Sequence, residues 1–187
     1  MQTRLKSGIS KPNKILNLLA ITDIATNPTT YKQAVQHPHW QTAMAEEIQA
    51  LKQQGTWSLV PPPSNKPVLG CRWTYKTKML PNGSIDRYKA RLVAQGFTQE
   101  QGINYTETFS PVAKIATIRV LLSIALTRNW PVSQLDISNA FLHGDLPDDV
   151  YMKQPPGYSD THHPDFICKL HKSIYGLKQA PRLWFQN

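Results

Sequence analysis

An α+β fold is predicted by three features of this sequence. Residues 38–53 repeat apolar side chains at helical spacing. Residues 71–95 alternate at strand spacing on both sides of an Asn-Gly turn, and a second helical run follows at 114–128. At 187 residues the chain is of one-domain size and long enough to bury a core.

Taken in order, residues 1–29 are polar, basic and punctuated by Pro12 and Pro28, so they read as a flexible basic linker arm. Pro38 after His37 then opens a helix whose buried stripe is Trp40, Met44, Ile48 and Leu51, and Gly55 stops it. Trp57–Val60 reads as a short strand ended by Pro61, Pro62 and Pro63. From Cys71 to Met79, side chains Cys71, Trp73, Tyr75, Thr77 and Met79 alternate with Arg72, Lys76 and Lys78. Pro81-Asn82-Gly83-Ser84 supplies a tight turn, Asn-Gly tolerating positive φ. The return strand, Ile85 to about Gln95, carries Arg87, Lys89 and Arg91 at period two, so one face of the hairpin is apolar and the other positive.

Residues 96–113 look irregular. The run from Lys114 to Arg128 predicts an amphipathic helix with Ile118, Leu121, Leu122 and Ala125 on its buried side. Pro131 begins an expected strand through Val132, Leu135 and Ile137, and further short strands are expected at Val150–Met152 and Phe166–Leu170. Asp145, Asp148 and Asp149 read as turn and surface residues, and Pro181 onward as the first turn of a helix.

Lysine and arginine exceed the acids by 21 − 12 = 9, a balance that favours a polyanionic partner, nucleic acid first and an anionic membrane surface second. The two cysteines, Cys71 and Cys168, form no Cys-x-x-Cys pair, which excludes a zinc ribbon or knuckle within this chain and suits a reducing compartment. Neither His37/His39 nor His162/His163 has the spacing of a metal site. The longest apolar stretch, Val120–Leu126, is too short to span a bilayer, and no apolar signal core follows the basic N-terminus. The expectation is an intracellular protein that is not secreted.

The acid that invites chemistry is Asp136, flanked by Leu135 and Ile137 at a strand end. Nucleotide transfer needs carboxylates on rigid strands to hold two magnesium ions; the competing reading is a carboxylate that caps a turn.

Six motifs occur in order: Lys89–Gln99, Glu107–Val112, Gln134–Asp136, Asn139–Gly144, Val150–Met152 and Tyr175–Arg182. With Trp40–Leu51 and Thr56-Trp57 ahead of them, they resemble the reverse transcriptase domain of copia-type retrotransposons, especially those of plants. The resemblance implies a right-hand polymerase, with residues 30–187 the front of the domain, fingers at about 40–112 and a partial palm at about 113–187. Under it Asp136 is the first catalytic carboxylate and metal ligand, and the Ile137 carbonyl a second oxygen ligand. Lys89 and Arg91 neutralise triphosphate charge, with Arg87 on the same face as a further nucleic-acid contact; the alternative is a solvated strand face. Phe141 takes the place of the ring beneath the sugar, or is ordinary core. Asn139 falls where many retroviral relatives carry another acid. Lys178 and Gln179 are candidate contacts to the duplex. The implied partners are an RNA template, a DNA primer, a deoxynucleoside triphosphate and the rest of a Pol polyprotein, in cytoplasmic element particles with a nuclear presence open.

Family members continue into a hairpin bearing Tyr-x-Asp-Asp, then a thumb and ribonuclease H. That signature is absent from these 187 residues, so the chain is expected to be truncated before it and inactive alone. The alternative function is a basic nucleic-acid-binding remnant of a decayed element, without catalysis.

Overall fold

The computed structural model describes residues 27–108, 113–135, 137 and 140–186. The arm up to residue 26, residues 109–112, Asp136 and Asn139 lie outside the described residues.

A single helical turn, α1 (Tyr31–Ala34), is capped by the Thr30 hydroxyl, which accepts the Gln33 N–H at 3.3 Å. The 16-residue α2 (Pro38–Gln53) follows, with Pro38 in the first turn where its missing N–H costs nothing. The expected stripe is buried, with Ala43 and Glu47 added to it. Burying each large apolar side chain of that stripe contributes about 1.5–3 kcal/mol.

Two sheets are built around this helix. The first has four strands in the order β1 (Trp57–Val60), β6 (Ile167–Lys172), β5 (Asp145–Met152), β2 (Val68–Leu69). Strand β6 is antiparallel to both neighbours, whereas β2 runs parallel to β5. The second is the hairpin of β3 (Cys71–Met79) and β4 (Ile85–Ala94). Because the first sheet joins residues 57–69 to residues 145–172, strand pairing crosses the fingers–palm division expected at 112/113. Asp145, Asp148 and Asp149 lie within β5 rather than in a turn, and Asp149 pairs with both Lys66 and Lys169.

The hairpin face toward α2 is aromatic. Trp73 is buried and donates its Nε1–H to the Pro156 carbonyl at 3.0 Å, while Trp40 meets Tyr75 and Tyr88 edge-on. Both thiols are free; Cys168 is buried in the core, and burial pushes Cys71 to about 11 and Cys168 to about 12. The turn falls on the expected residues 81–84. Leu80 accepts the Gly83 N–H, so Pro81 and Asn82 are the central residues and only Gly83 takes positive φ, at +83°. The Asn82 carbonyl oxygen accepts the Ser84 N–H and hydroxyl, and the extra residue shifts the register at Lys78/Met79.

Two expectations fail. Helix α3 (Ile115–Thr127) forms, but its predicted buried side is exposed apart from Ala125, with Leu121 at 59% and Leu122 at 45%. Residues 131–135 form no strand, and Leu135 is 90% exposed. The cause is common: periodicity identifies an apolar face, but burial and strand pairing need a partner surface, which no described residue supplies here. The chain closes with α4 (Ala180–Gln186), packed on the 3₁₀ turn Ala140–His143.

Candidate nucleotide and nucleic-acid site

Strand alternation and register together build a positive face. In the β3–β4 ladder Lys76 is opposite Lys89, Lys78 opposite Arg87, and Thr74 opposite Arg91. Directly opposed like charges destabilise a sheet, so a face with six cations, Arg72 included, has a cost that packing does not explain. Arg87 has Asp86 at 3.8 Å; Lys76, Lys78, Lys89 and Arg91 make no salt bridge with any described residue. Beside them lies a hollow of about 290 Å³, lined by Thr74, Tyr75, Lys76, Lys78, Lys89 and Arg91. Burial lowers the Lys89 pKa, Arg91, Arg87 and Lys78 add to this, and Glu47 alone opposes it.

The free edge of β4 is sealed from two sides. Glu47, 8% exposed on α2, accepts the Leu92 N–H at 3.3 Å, and the Tyr175 carbonyl accepts the Ala94 N–H at 2.8 Å. Burial raises the Glu47 pKa, against the Leu92 N–H and the charges of Arg91 and Lys89.

Tyr175 has no role in the sequence reading beyond membership of its motif, yet it connects two predicted site residues. The Arg91 guanidinium carbon lies 4.4 Å from the Tyr175 ring centroid, and the Phe141 ring meets Tyr175 edge-on at 5.1 Å and 69°. Phe141 is half-buried against the core cluster. The loop bearing Tyr175 is docked backbone to backbone. A Cβ on Gly96 would stand 2.0 Å from the Gly176 carbonyl oxygen, and one on Gly176, at φ +93°, 2.2 Å from the Ala94 carbonyl oxygen. Only glycine permits that approach, and hydrophobic patterning carries no sign of it.

Gln179 and Lys178, the expected duplex contacts, make contacts within the fold. Gln179 is 2% exposed; its Oε1 accepts from Gln99 Nε2 at 3.0 Å, and its Nε2 donates to the Asn104 carbonyl at 2.9 Å. Lys178 Nζ donates to the Gln99 carbonyl at 2.9 Å and lies 5.1 Å from the Tyr105 ring centroid. A buried amide left unpaired costs about 1–3 kcal/mol, so Gln179 is held inside the fold by its own hydrogen-bonding needs. Ile137 is exposed, on the segment that makes no strand. Among the described residues no three His, Cys, Asp or Glu side chains gather as a metal site, and the carboxylates described do not fit magnesium by themselves.

The sequence profile of the reverse transcriptase (RNA-dependent DNA polymerase) family matches residues 54–187. The chain belongs to the reverse transcriptase family. It is 50% identical over 186 residues to the retrovirus-related Pol polyprotein from transposon RE1 of Arabidopsis thaliana, across 99% of this chain and 13% of that one. To the Pol polyprotein from transposon TNT 1-94 of Nicotiana tabacum it is 45% identical over 163 residues, 86% of this chain and 12% of that one. A short relative, an uncharacterized mitochondrial protein of Arabidopsis thaliana, is 50% identical over 125 residues, 67% of this chain and 74% of its own length. The copia-type, plant-like resemblance is therefore sound, and the chain spans about an eighth of the Pol polyproteins it matches. No solved structure matches the chain. Among the described residues, no helix of this reverse transcriptase fragment is long and apolar enough to cross a membrane.

Proposed function

We propose that this chain is the nucleotide-facing front of a retrotransposon RNA-directed DNA polymerase, its β3–β4 hairpin carrying the incoming triphosphate and adjoining template. One observation carries the reading: Lys76, Lys78, Arg87, Lys89 and Arg91 share a face on which two like-charged pairs are directly opposed. A sheet tolerates such a face when polyphosphate completes it. Lys89 and Arg91 flank the hollow and are assigned to triphosphate, Arg87 to the nucleic-acid backbone, and Phe141 to the sugar side through its contact with Tyr175.

In the complete enzyme Asp136 and the Ile137 carbonyl would contribute to holding two magnesium ions, with further acids from outside these residues. The 187 residues contain no Tyr-x-Asp-Asp sequence, so by themselves they bind without polymerising. The complete enzyme would take an RNA template, a DNA primer and deoxynucleoside triphosphates, as part of a Pol polyprotein in cytoplasmic particles.

The test is anisotropy of a labelled RNA–DNA primer–template across a salt series. Affinity should fall steeply with salt, and charge reversal at Lys89 and Arg91 should lower the log–log slope by about one for each phosphate no longer neutralised. Binding that is unchanged in the reversed variant would remove the hairpin from the interface.

A second reading, a non-catalytic nucleic-acid-binding remnant, is favoured by the short mitochondrial relative, 74% of whose length this chain covers. Primer extension separates the two. Extension by a chain prolonged through a Tyr-x-Asp-Asp hairpin supports the polymerase, and binding without extension supports the remnant.

A further inference from the structure

The guanidinium of Arg91 is held without being consumed. It makes no salt bridge and donates no hydrogen bond to another described residue, and its Nε is buried without a partner. A charged donor left in that state is costly unless something outside the fold completes it. What holds it is the Tyr175 ring, 4.4 Å from the guanidinium carbon. An aromatic face uses the π surface of a guanidinium and leaves its terminal in-plane N–H donors available, an edge that a phosphate takes bidentately.

The ring is itself fixed. The Tyr175 carbonyl is bound by the Ala94 N–H at 2.8 Å, its neighbour Gly176 lies against the β4 end and Gly96, and Phe141 abuts the ring at 5.1 Å. The Gln99–Gln179 pair and the Lys178–Gln99 bonds tie the rest of the loop to residues 99–104. Arg91 is thus linked to Phe141 through one side chain.

We infer that Tyr175 is a positioning residue of the polyphosphate site: its ring sets the orientation in which Arg91 meets the triphosphate and couples that orientation to Phe141. The inference rests on the triphosphate reading of the hairpin. It distinguishes Tyr175 from a core aromatic because the requirement is for a ring, and the hydroxyl is dispensable for the stacking.

The experiment uses the 187-residue chain with inorganic tripolyphosphate as probe. Calorimetric affinity is measured alongside the Arg91 Nε–H resonance, assigned by its disappearance in Arg91→Lys. Tyr175→Phe should keep affinity within about twofold and leave the resonance ring-shifted. Tyr175→Leu should weaken binding roughly three- to tenfold and abolish the ring shift, in line with the strength of a partly desolvated cation–π contact. In an Arg91→Lys background, Tyr175→Leu should add little further weakening, which a general structural role would not produce. An Arg91 resonance unmoved by Tyr175→Leu, or equal weakening in both backgrounds, would overturn the inference. If the unaltered chain binds no tripolyphosphate, the triphosphate reading fails instead, while the resonance still decides whether Tyr175 holds Arg91.

Discussion

Lys76 stands directly opposite Lys89 in the β3–β4 ladder. The pair opposes folding and, on the proposed reading of the hairpin, serves binding, so the two properties should separate on mutation. Lys76→Thr keeps a good strand residue and removes the repulsion. It should stabilise the chain by about 0.2–1 kcal/mol at low salt, with the gain fading as salt screens the face. The same variant should bind primer–template more weakly. Urea denaturation and anisotropy at two salt concentrations check both halves, and weaker binding without added stability would mean that the ladder does not feel the pair.

Glu47 offers a test with a pH signature. Its carboxylate is the acceptor for the buried Leu92 N–H at the β4 edge, yet burial raises its pKa above 4.5. Glu47→Gln keeps an acceptor and removes the buried charge, whereas Glu47→Ala leaves the amide unpaired and should cost about 1–3 kcal/mol. The sign follows from linkage. Between the raised folded value and the unfolded one, the native state binds more protons than the unfolded state, so the wild-type chain gains stability as pH falls through that window. Glu47→Gln should therefore hold its largest advantage over wild type above the raised folded pKa and lose it toward the ordinary carboxylate range. Denaturation midpoints across that window measure the difference; a gap independent of pH would show that burial of the Glu47 charge does not weigh on the fold.

Gly176 and Gly83 share positive φ, at +93° and +83°, but differ in surroundings. A Cβ at Gly83 meets nothing within 4 Å, whereas at Gly176 it would lie 2.2 Å from the Ala94 carbonyl oxygen. Gly83→Ala should cost about 1 kcal/mol from backbone strain alone. Gly176→Ala must also displace backbone and should cost several times as much, removing the Tyr175 loop from the β4 end. Thermal unfolding of the two variants side by side tests this, and equal destabilisation would show that the loop yields easily.

What the sequence made legible was what short-range pattern controls. The α2 stripe from Trp40 to Leu51 and the two faces of the hairpin follow from spacing alone, because each element meets its partner within these residues. The pairing of β1 with β6 was hidden, since residues 57 and 170 share no local signal. At the site, the parity of Arg87, Lys89 and Arg91 was readable, but the opposition of Lys76 to Lys89 depends on a register that the turn sets. Gln179 shows the converse case. A polar residue in a family motif reads as a ligand contact, while its burial comes from Gln99 and Asn104, far away in sequence. Tyr175 likewise acquires meaning only when β4 and its loop meet.

Helix α3 exposes Ile115, Val120, Leu121, Leu122 and Leu126, five large apolar side chains on one 13-residue element. Exposed apolar area of that kind drives association in a soluble chain. The 187-residue chain should therefore self-associate at micromolar concentrations, and salt should strengthen this association while weakening nucleic-acid binding. Replacing Leu121 and Leu126 with lysine should shift the chain toward monomer with hairpin and α2 structure intact, because neither side chain is buried in the fold. Sedimentation velocity across a concentration series, with circular dichroism as the control on folding, decides the point. A wild-type chain that stays monomeric would show that α3 covers its own apolar face in solution, and a double variant that unfolds would show that these leucines are structural after all.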